Sequence, residues 1–183
     1  TMPSTPLAAA NLNLGAGTLY WAVLGSTEPT TLTAAWAVAW KKVGYTKEGH
    51  VFKYAQTTEG IYVAEEIEPV LMENTKLAIG VGFAMAEMTA PSLTIAMNGG
   101  TTTSTATEAT FEPPDPTAKP TEIMLGWESR SADERIVWRR CVQGGEIEMK
   151  RAKAPDYVTL PVSFTCLKPT TAGVRSFKQI LSL

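Results

Sequence analysis

The 183 residues are 44% hydrophobic and 19% charged, a globular composition that excludes a disordered or membrane-like chain. Sixteen basic and eighteen acidic residues give a net charge of −2, so no overall positive charge draws the chain to nucleic acid or anionic membranes. One histidine and two cysteines are too few for a zinc site, and no apolar stretch reaches the ~18 residues of a membrane helix.

The N-terminal segment shows no targeting signal. Residues 1–16 contain neither a basic residue nor a continuous apolar core, which excludes a secretory signal peptide, and we expect an N-terminal arm. Residues 18–24 are a candidate strand. Trp36 and Trp40, in TAAWAVAWKK, are expected on an apolar face or an interface, whereas a carbohydrate-binding protein would expose them.

An acidic segment with an apolar tip follows candidate strands at residues 51–54 and 61–64. The acids are Glu65, Glu66 and Glu68, and the tip is Pro69, Val70, Leu71 and Met72. Paired carboxylates catalyse glycoside hydrolysis only when a rigid concave scaffold holds them, and this segment contains proline and flexible residues. It therefore predicts an exposed charged strand end or loop. The functional alternative is an interface loop, because exposed apolar tips mark partner surfaces.

The middle of the chain contains one clear strand and one clear helix. In residues 77–85 the odd positions are large and apolar and the even positions are Gly or Ala, which predicts a strand with one bulky face. A helix is predicted at about residues 90–97, since Thr89 can cap it and an Asn-Gly-Gly sequence follows it. Met88 and Leu93 occupy hydrophobic-staple positions, and we expect Leu93 to be buried against the sheet.

Residues 99–120 form a low-complexity Thr- and Pro-rich stretch that holds four of the chain's twelve prolines. Proline lacks the backbone donor that a helix interior or a central strand needs, so we expect a surface loop. The chain is acidic up to the end of this stretch and basic after it. Residues 1–120 contain six basic and eleven acidic residues, whereas residues 121–183 contain ten and seven.

The basic second half contains candidate strands at residues 123–127 and 136–142. A Gln-Gly-Gly sequence at 143–145 is typical of a hairpin turn into a further strand at 146–150. That hairpin would bring together a basic cluster of Arg139, Arg140, Lys150 and Arg151. Few aromatic residues accompany it for stacking on bases, so we expect these cations to pair with acidic groups of another copy of the chain.

The last strands are predicted at residues 158–166 and 174–181. Pro161 interrupts the alternation of the first, which favours an edge strand or a bulge. Cys141 and Cys166 lie on separate predicted strands and are expected to be reduced, buried thiols.

Together these elements predict a mainly β fold, a β-sandwich or barrel flanked by one short α-helix. Catalytic signals are missing from the sequence. His50 follows Glu48 and Gly49 in a turn-like context without a nucleophile, so we expect a solvated loop histidine. No glycine-rich phosphate-binding motif occurs. We therefore expect no enzymatic activity, no cofactor and no metal.

Four short segments occur in the order VGYT-x-EG, EE-x-E-P, AEMTA and NGG, and a strand ending in Cys-Leu-Lys-Pro follows them. In this order, and over roughly residues 17–183, the chain resembles the major tail tube proteins of long-tailed, non-contractile bacteriophages of the actinobacteriophage type. No single motif is diagnostic of that family.

The resemblance implies a single tail-tube domain over residues 1–183. To this the residues themselves add the N-terminal arm, at about 1–16, and the Thr/Pro-rich loop, at about 99–120, which matches no pattern of the family and has no assigned role. Hexameric rings would stack into a hollow tube that conducts DNA from capsid to host. Residues 44–76 would correspond to the loop that locks one ring onto the next. Expected partners are other copies of the chain and the tape measure, tail terminator and baseplate initiator proteins, with no membrane. The expected location is the virion tail, after assembly in the bacterial cytoplasm.

Two alternatives to a tube subunit remain from the sequence. One is a carbohydrate- or receptor-binding β-sandwich that decorates the virion. The other is a small β-barrel hydrolase, for which the sequence shows no set of catalytic residues. If the chain does form a DNA channel, we expect the channel surface not to be basic overall, because tight phosphate binding would retain the DNA.

Overall fold

A computed structural model describes residues 15–149, 151 and 156–182 of the chain. Within them lie ten strands and one helix: β1 (Gly17–Val23), β2 (Lys41–Lys42), β3 (Thr46–Ile61), β4 (Leu71–Met85), α1 (Ala90–Ala96), β5 (Thr101–Ser104), β6 (Ala109–Glu112), β7 (Ile123–Ser129), β8 (Glu134–Gln143), β9 (Leu160–Cys166) and β10 (Phe177–Leu181). The predicted mainly β fold with one short helix is confirmed, and the large sheet does not close into a barrel over these residues.

The large sheet is antiparallel, with strand order β2-β1-β7-β8-β9-β4-β3. Strand β8 connects its two halves, because its first part pairs with β10 and its last three residues pair with β9. The sheet bends so that β3 lies over β7 and β8. The ring centroid of His50 is 5.0 Å from that of Trp127, and Phe52 is 5.7 Å from Trp138. The result is a sandwich-like arrangement with two layers.

The main core lies between these layers. Its β4 side consists of the odd-numbered residues that the alternation predicted, Ile79, Val81, Phe83 and Met85. Strand β9 pairs with this stretch and adds Leu160, Val162 and Phe164. The bulky face predicted for residues 77–85 is thus confirmed from residue 79 onward, whereas Leu77 is exposed.

A second apolar cluster covers the opposite face of β1, β7 and β8. The segment before β2 lays Trp36 and Trp40 across this face, where Trp36 stacks on Tyr20 at 4.5 Å and Trp40 is 6% exposed. Gly126 makes this approach possible, since a Cβ there would lie 2.7 Å from Cζ3 of Trp36. The expectation that the two tryptophans belong to an apolar face is confirmed.

The Thr/Pro-rich stretch corrects the expectation of a continuous surface loop at residues 99–120. Strands β5 and β6 pair there as a separate two-stranded hairpin, and a loop containing the prolines follows. The hairpin forms because its two strands contain mainly Thr, Phe and other residues that favour extended backbone, without proline. The four prolines that predicted a loop all lie after the hairpin, so they do not interrupt its strands.

Two further strand predictions have different outcomes. Strand β9 is not an edge strand along its whole length, because β8 pairs with its last three residues, but at Pro161 it pairs with β4 alone, as the proline predicted. Residues 146–149 form no strand. The chain after β8 instead turns along β9, where Gly144 N–H donates to the Ser163 carbonyl at 3.0 Å.

Helix α1 begins as predicted. The Ser92 N–H donates to Thr89 Oγ1 at 3.3 Å, which confirms Thr89 as the N-cap. The buried face is formed by Ser92, Ile95 and Ala96, at the i, i+3, i+4 spacing of one helix side. Leu93 is only partly buried, so Ile95, at 4% exposure, is the main anchor in place of Leu93.

Truncation of this anchor is expected to destabilise the monomer more than loss of the cap. Ile95→Ala removes a buried side chain and should lower the free energy of unfolding by about 2–4 kcal/mol. Thr89→Ala should cost about 1 kcal/mol, and Leu93→Ala should fall between them. Urea unfolding of the purified monomer measures all three. A larger loss from Leu93→Ala than from Ile95→Ala would show that the wrong helix face has been assigned to the core.

Candidate assembly interface

A long β-hairpin extends beyond the sheet. Strand β4 pairs with β9 only from Ile79 to Met85, so the preceding residues of β4 pair with β3 alone. We call residues 55–78 the projecting hairpin. All of them are exposed except Gly60, which is half-buried. At the usual rise per residue in a strand, its eight β4 residues extend about 25 Å from the sheet.

The projecting hairpin exposes many large apolar side chains. They are Ile61, Tyr62, Val63, Ile67, Val70, Leu71, Met72 and Leu77. Ile67, at the turn, is 96% exposed. A two-stranded hairpin is only marginally stable alone in water, and apolar surface concentrated on one element marks an interaction surface. The projecting hairpin therefore has the character of an interface element.

The charge of the projecting hairpin is strongly acidic. Glu65, Glu66 and Glu68 lie together in the turn, and all three are exposed. Glu59 lies directly opposite Glu73 in the ladder, an arrangement that is unfavourable for like charges. Lys76 is the single basic residue within residues 55–78. A cationic partner surface would relieve this repulsion.

The turn itself has a defined backbone. The Val70 N–H donates to the Ile61 carbonyl at 2.9 Å and closes the turn at residues 62–70. The predicted strand at 61–64 is therefore wrong beyond Ile61. The expected inter-ring loop at residues 44–76 is mainly two long paired strands rather than a loop. Sequence periodicity missed them because a ribbon exposed on both faces has no alternation of apolar and polar residues.

Strand β3 also forms one edge of the large sheet. Among the described residues its sixteen residues pair with β4 only. An exposed edge of this length offers a row of backbone donors and acceptors to another chain, and soluble proteins usually protect such edges. Lysine side chains are one such protection, and this strand has two of them in sixteen residues, Lys47 and Lys53. The long unpaired edge is a second surface suited to contact between copies.

Arg139 and Arg140, expected to pair between subunits, have partners within their own chain. Arg139 binds Glu28 through two hydrogen bonds, of 2.5 and 2.9 Å. Arg140 binds Glu122 at 2.7 and 2.5 Å. These hydrogen bonds lower the pKa of the Glu122 carboxyl below its ordinary value.

The remaining two cations of that cluster are Arg151 and Lys150. Arg151 is exposed, and Lys150 lies outside the described residues. Charge pairing across subunits by this cluster stays a prediction. The sequence did not indicate the Arg139–Glu28 pair because the two residues are 111 positions apart.

His50 differs from the expected solvated loop histidine. It lies on β3, half-buried, with its ring 5.0 Å from Trp127 and 5.6 Å from Trp138. Burial lowers the pKa of this imidazole, because the charged form loses hydration. The ring therefore serves as an apolar packing group between the layers.

Three further observations bear on function. The described part of the chain contains no group of three or more residues able to hold a metal ion. The one helix in this described part, α1, is too short to cross a membrane. A family model described as "Phage tail tube protein" matches residues 9–178 of the chain, and no curated protein matches it.

Proposed function

Because the chain belongs to the phage tail tube protein family, we propose that it forms hexameric rings that stack into a hollow tube and conduct DNA from the capsid to the host. Its family makes it a structural component of the virion tail that assembles with itself and with other tail proteins. The observation that carries the finer proposal is the projecting hairpin, whose exposed apolar and acidic residues need a partner.

Two distinct surfaces support a tube with two kinds of contact. The edge of β3 suits a heterologous contact between neighbours in a ring, which closes by rotation. The projecting hairpin reaches about 25 Å beyond its own sheet, far enough to contact a subunit in the adjacent ring. The turn residues, Glu65, Glu66, Glu68, Pro69 and Val70, together with Leu71 and Met72, are proposed to make that inter-ring contact.

The charge distribution supports contacts between acidic and basic surfaces of different subunits. The hairpin is acidic, and the excess of basic residues lies after residue 120. Arg139 and Arg140 are already paired in the chain, so we propose that exposed Arg151 and neighbouring Lys150 carry more of the pairing between subunits. With a net charge of −2, the channel surface is proposed to be non-basic, so that DNA passes without being retained.

The remaining assignments follow from the proposed tube. During assembly in the bacterial cytoplasm the tube would build on a baseplate initiator protein and around a tape measure protein, and terminator proteins would close it. A glycan-binding decoration protein gains no support from Trp36 and Trp40, which are packed on the sheet.

Electron cryomicroscopy of the tubes tests the proposed ring. Sixfold symmetry is expected, and any other symmetry would contradict the hexamer.

A single charged substitution in the turn should block assembly without affecting the fold. Ile67 is 96% exposed in the single chain, so Ile67→Asp should leave the unfolding midpoint of the monomer unchanged. In a tube it would bury an unpaired charge and should raise the concentration needed for polymerisation at least tenfold. Negative-stain microscopy and sedimentation of the purified protein measure this change.

Val38 provides the matched control. It is 99% exposed and lies outside the projecting hairpin. Val38→Asp should polymerise as the unaltered chain does. Tubes from Ile67→Asp at the normal concentration would remove the hairpin from the proposed interface, and equal defects in both variants would show a general effect of added charge.

A further inference from the structure

The fold brings the two cysteines together, although they are 25 residues apart in the sequence. Cys141 on β8 lies directly opposite Cys166 on β9, and their Sγ atoms are 3.4 Å apart. Both are free thiols. Cys141 is fully buried, whereas Cys166 is partly exposed.

The backbone hydrogen bonds identify the type of pair. The Leu167 N–H, following Cys166, donates to the carbonyl of Arg140, which precedes Cys141, at 2.7 Å. This pattern marks Cys141 and Cys166 as a non-hydrogen-bonded pair of the antiparallel ladder. In such pairs the Cα atoms lie about 4.5 Å apart, within the range of about 4.4–6.8 Å that a disulfide spans. Bond formation therefore requires side-chain rotation rather than separation of the strands.

A surface cleft gives access to one of the two thiols. The cleft has a volume of about 560 Å³, and Cys166, Lys168, Arg175 and Phe177 are among the residues that line it. Its volume is sufficient for a small oxidant. Cys141 is inaccessible from solvent, and its hydrogen bond with Cys166 and its burial both raise the pKa of its thiol. Reaction is thus expected to begin at Cys166 and to end with Cys141.

We propose that Cys141 and Cys166 form a cross-strand dithiol that a two-electron oxidant converts into a disulfide between β8 and β9. With an azo oxidant such as diamide, the Cys166 sulfur first adds to one nitrogen. The Cys141 sulfur then forms the S–S bond and displaces that nitrogen. The two thiols lose two electrons and two protons, and the azo group gains them to become a hydrazine. In a reducing cytoplasm both thiols remain reduced, so the bond forms only when the protein meets an oxidant.

The disulfide would link the two strands that join the halves of the sheet. Strand β9 pairs with β4 and strand β8 pairs with β7, whereas β8 and β9 pair over three residues. Restricting the unfolded chain at this junction is expected to raise the thermal unfolding midpoint by about 6–12 °C. This inference does not depend on the proposed tube.

The test uses the full chain treated with excess diamide. The expected product runs as a monomer on a non-reducing gel and is two mass units lighter than the untreated chain. After unfolding it has no free thiols, and dithiothreitol restores both thiols. Cys166→Ser serves as the control because residue 166 is partly exposed and tolerates a polar group. It should lose no mass and should show no rise in the unfolding midpoint.

A second reagent measures thiol proximity without oxidation. Phenylarsine oxide bonds both sulfurs of a close dithiol and releases one water, so the folded chain should bind one equivalent and Cys166→Ser should not retain it after washing. The proposal would be overturned if both thiols of the folded chain survive diamide although both react after unfolding. Disulfide-linked dimers in place of the lighter monomer would overturn it as well.

Discussion

Replacing residues 57–76 with Asn-Gly is expected to yield a folded monomer that forms no tubes. Gln56 and Leu77 are directly paired in the ladder, and Asn-Gly closes two paired strands with a two-residue turn. The replaced residues are exposed apart from half-buried Gly60, so neither apolar cluster loses a side chain. The shortened chain keeps the sheet and loses the surface proposed to contact the next ring.

Assembly and stability must be measured separately in this variant. Urea unfolding should give a midpoint close to that of the unaltered chain, and negative-stain microscopy should show no tubes at concentrations where the unaltered chain polymerises. Isolated rings would be consistent with this result, since the edge of β3 is retained up to Gln56. Tubes of normal appearance from the shortened chain would refute the assignment of residues 55–78 to the inter-ring contact.

A charge-neutral control separates the acidic from the apolar contribution of the hairpin. The triple variant Glu65→Gln, Glu66→Gln and Glu68→Gln keeps the length and the apolar residues of the turn. It should still form tubes, with assembly that depends less on salt concentration than assembly of the unaltered chain, because exposed charge pairs are screened. An unchanged salt dependence would show that these acids make no charge pairs in the tube.

Arg135→Ala is expected to lower the free energy of unfolding by about 3–5 kcal/mol, the usual loss when one partner of a buried ion pair is removed. Arg135 is 5% exposed. Its guanidinium contacts Glu128 Oε1 at 2.6 Å and donates to the carbonyls of Thr31 and Ala34 at 2.8 and 2.5 Å. Removing it leaves the partly buried Glu128 carboxylate without its cation, with the Trp36 Nε1–H at 2.8 Å as a remaining donor. It also leaves the carbonyls of Thr31 and Ala34 without this donor.

The loss of unfolding free energy caused by Arg135→Ala should depend on pH. Burial raises the pKa of Glu128, but hydrogen bonds from Arg135 and Trp36 and the charge of Arg135 together hold it below its ordinary value of 4.5. A carboxyl with a lowered folded-state pKa contributes stability above its unfolded-state pKa, and that contribution is lost as the pH falls through the folded-state pKa. The difference between the unaltered chain and Arg135→Ala should therefore be largest near neutral pH and shrink below about pH 4.5.

Arg140→Ala is the comparison for this prediction. The side chains of Arg140 and Glu122 are 25% and 28% exposed, so water can replace much of their interaction, and the expected loss is about 1 kcal/mol or less. Urea unfolding of both variants between pH 7 and about pH 3 provides the measurement. Equal losses at neutral pH would show that burial of the Arg135–Glu128 pair does not matter for the fold.

The sequence by itself determined the elements that have one buried face or a specific end signal. Residues 79–85 and 160–166 alternate because one side of each strand faces the core, and Thr89 marks the start of α1 because its hydroxyl accepts an orphan N–H. The order of short motifs also indicated the tail tube family, which the match over residues 9–178 confirms. These signals are local, so a single chain read in order reveals them.

Only the tertiary structure decided which distant residues meet. The projecting hairpin has no buried face, so its strands carry no periodic pattern, and Glu59 meets Glu73 only through the register of β3 and β4. Cys141 lies opposite Cys166 because the end of β8 pairs with β9, and Arg139 on β8 reaches Glu28 on the segment between β1 and β2. Such pairings depend on how the sheet bends and in which register its strands align, and these are properties of the packed core as a whole rather than of any one segment.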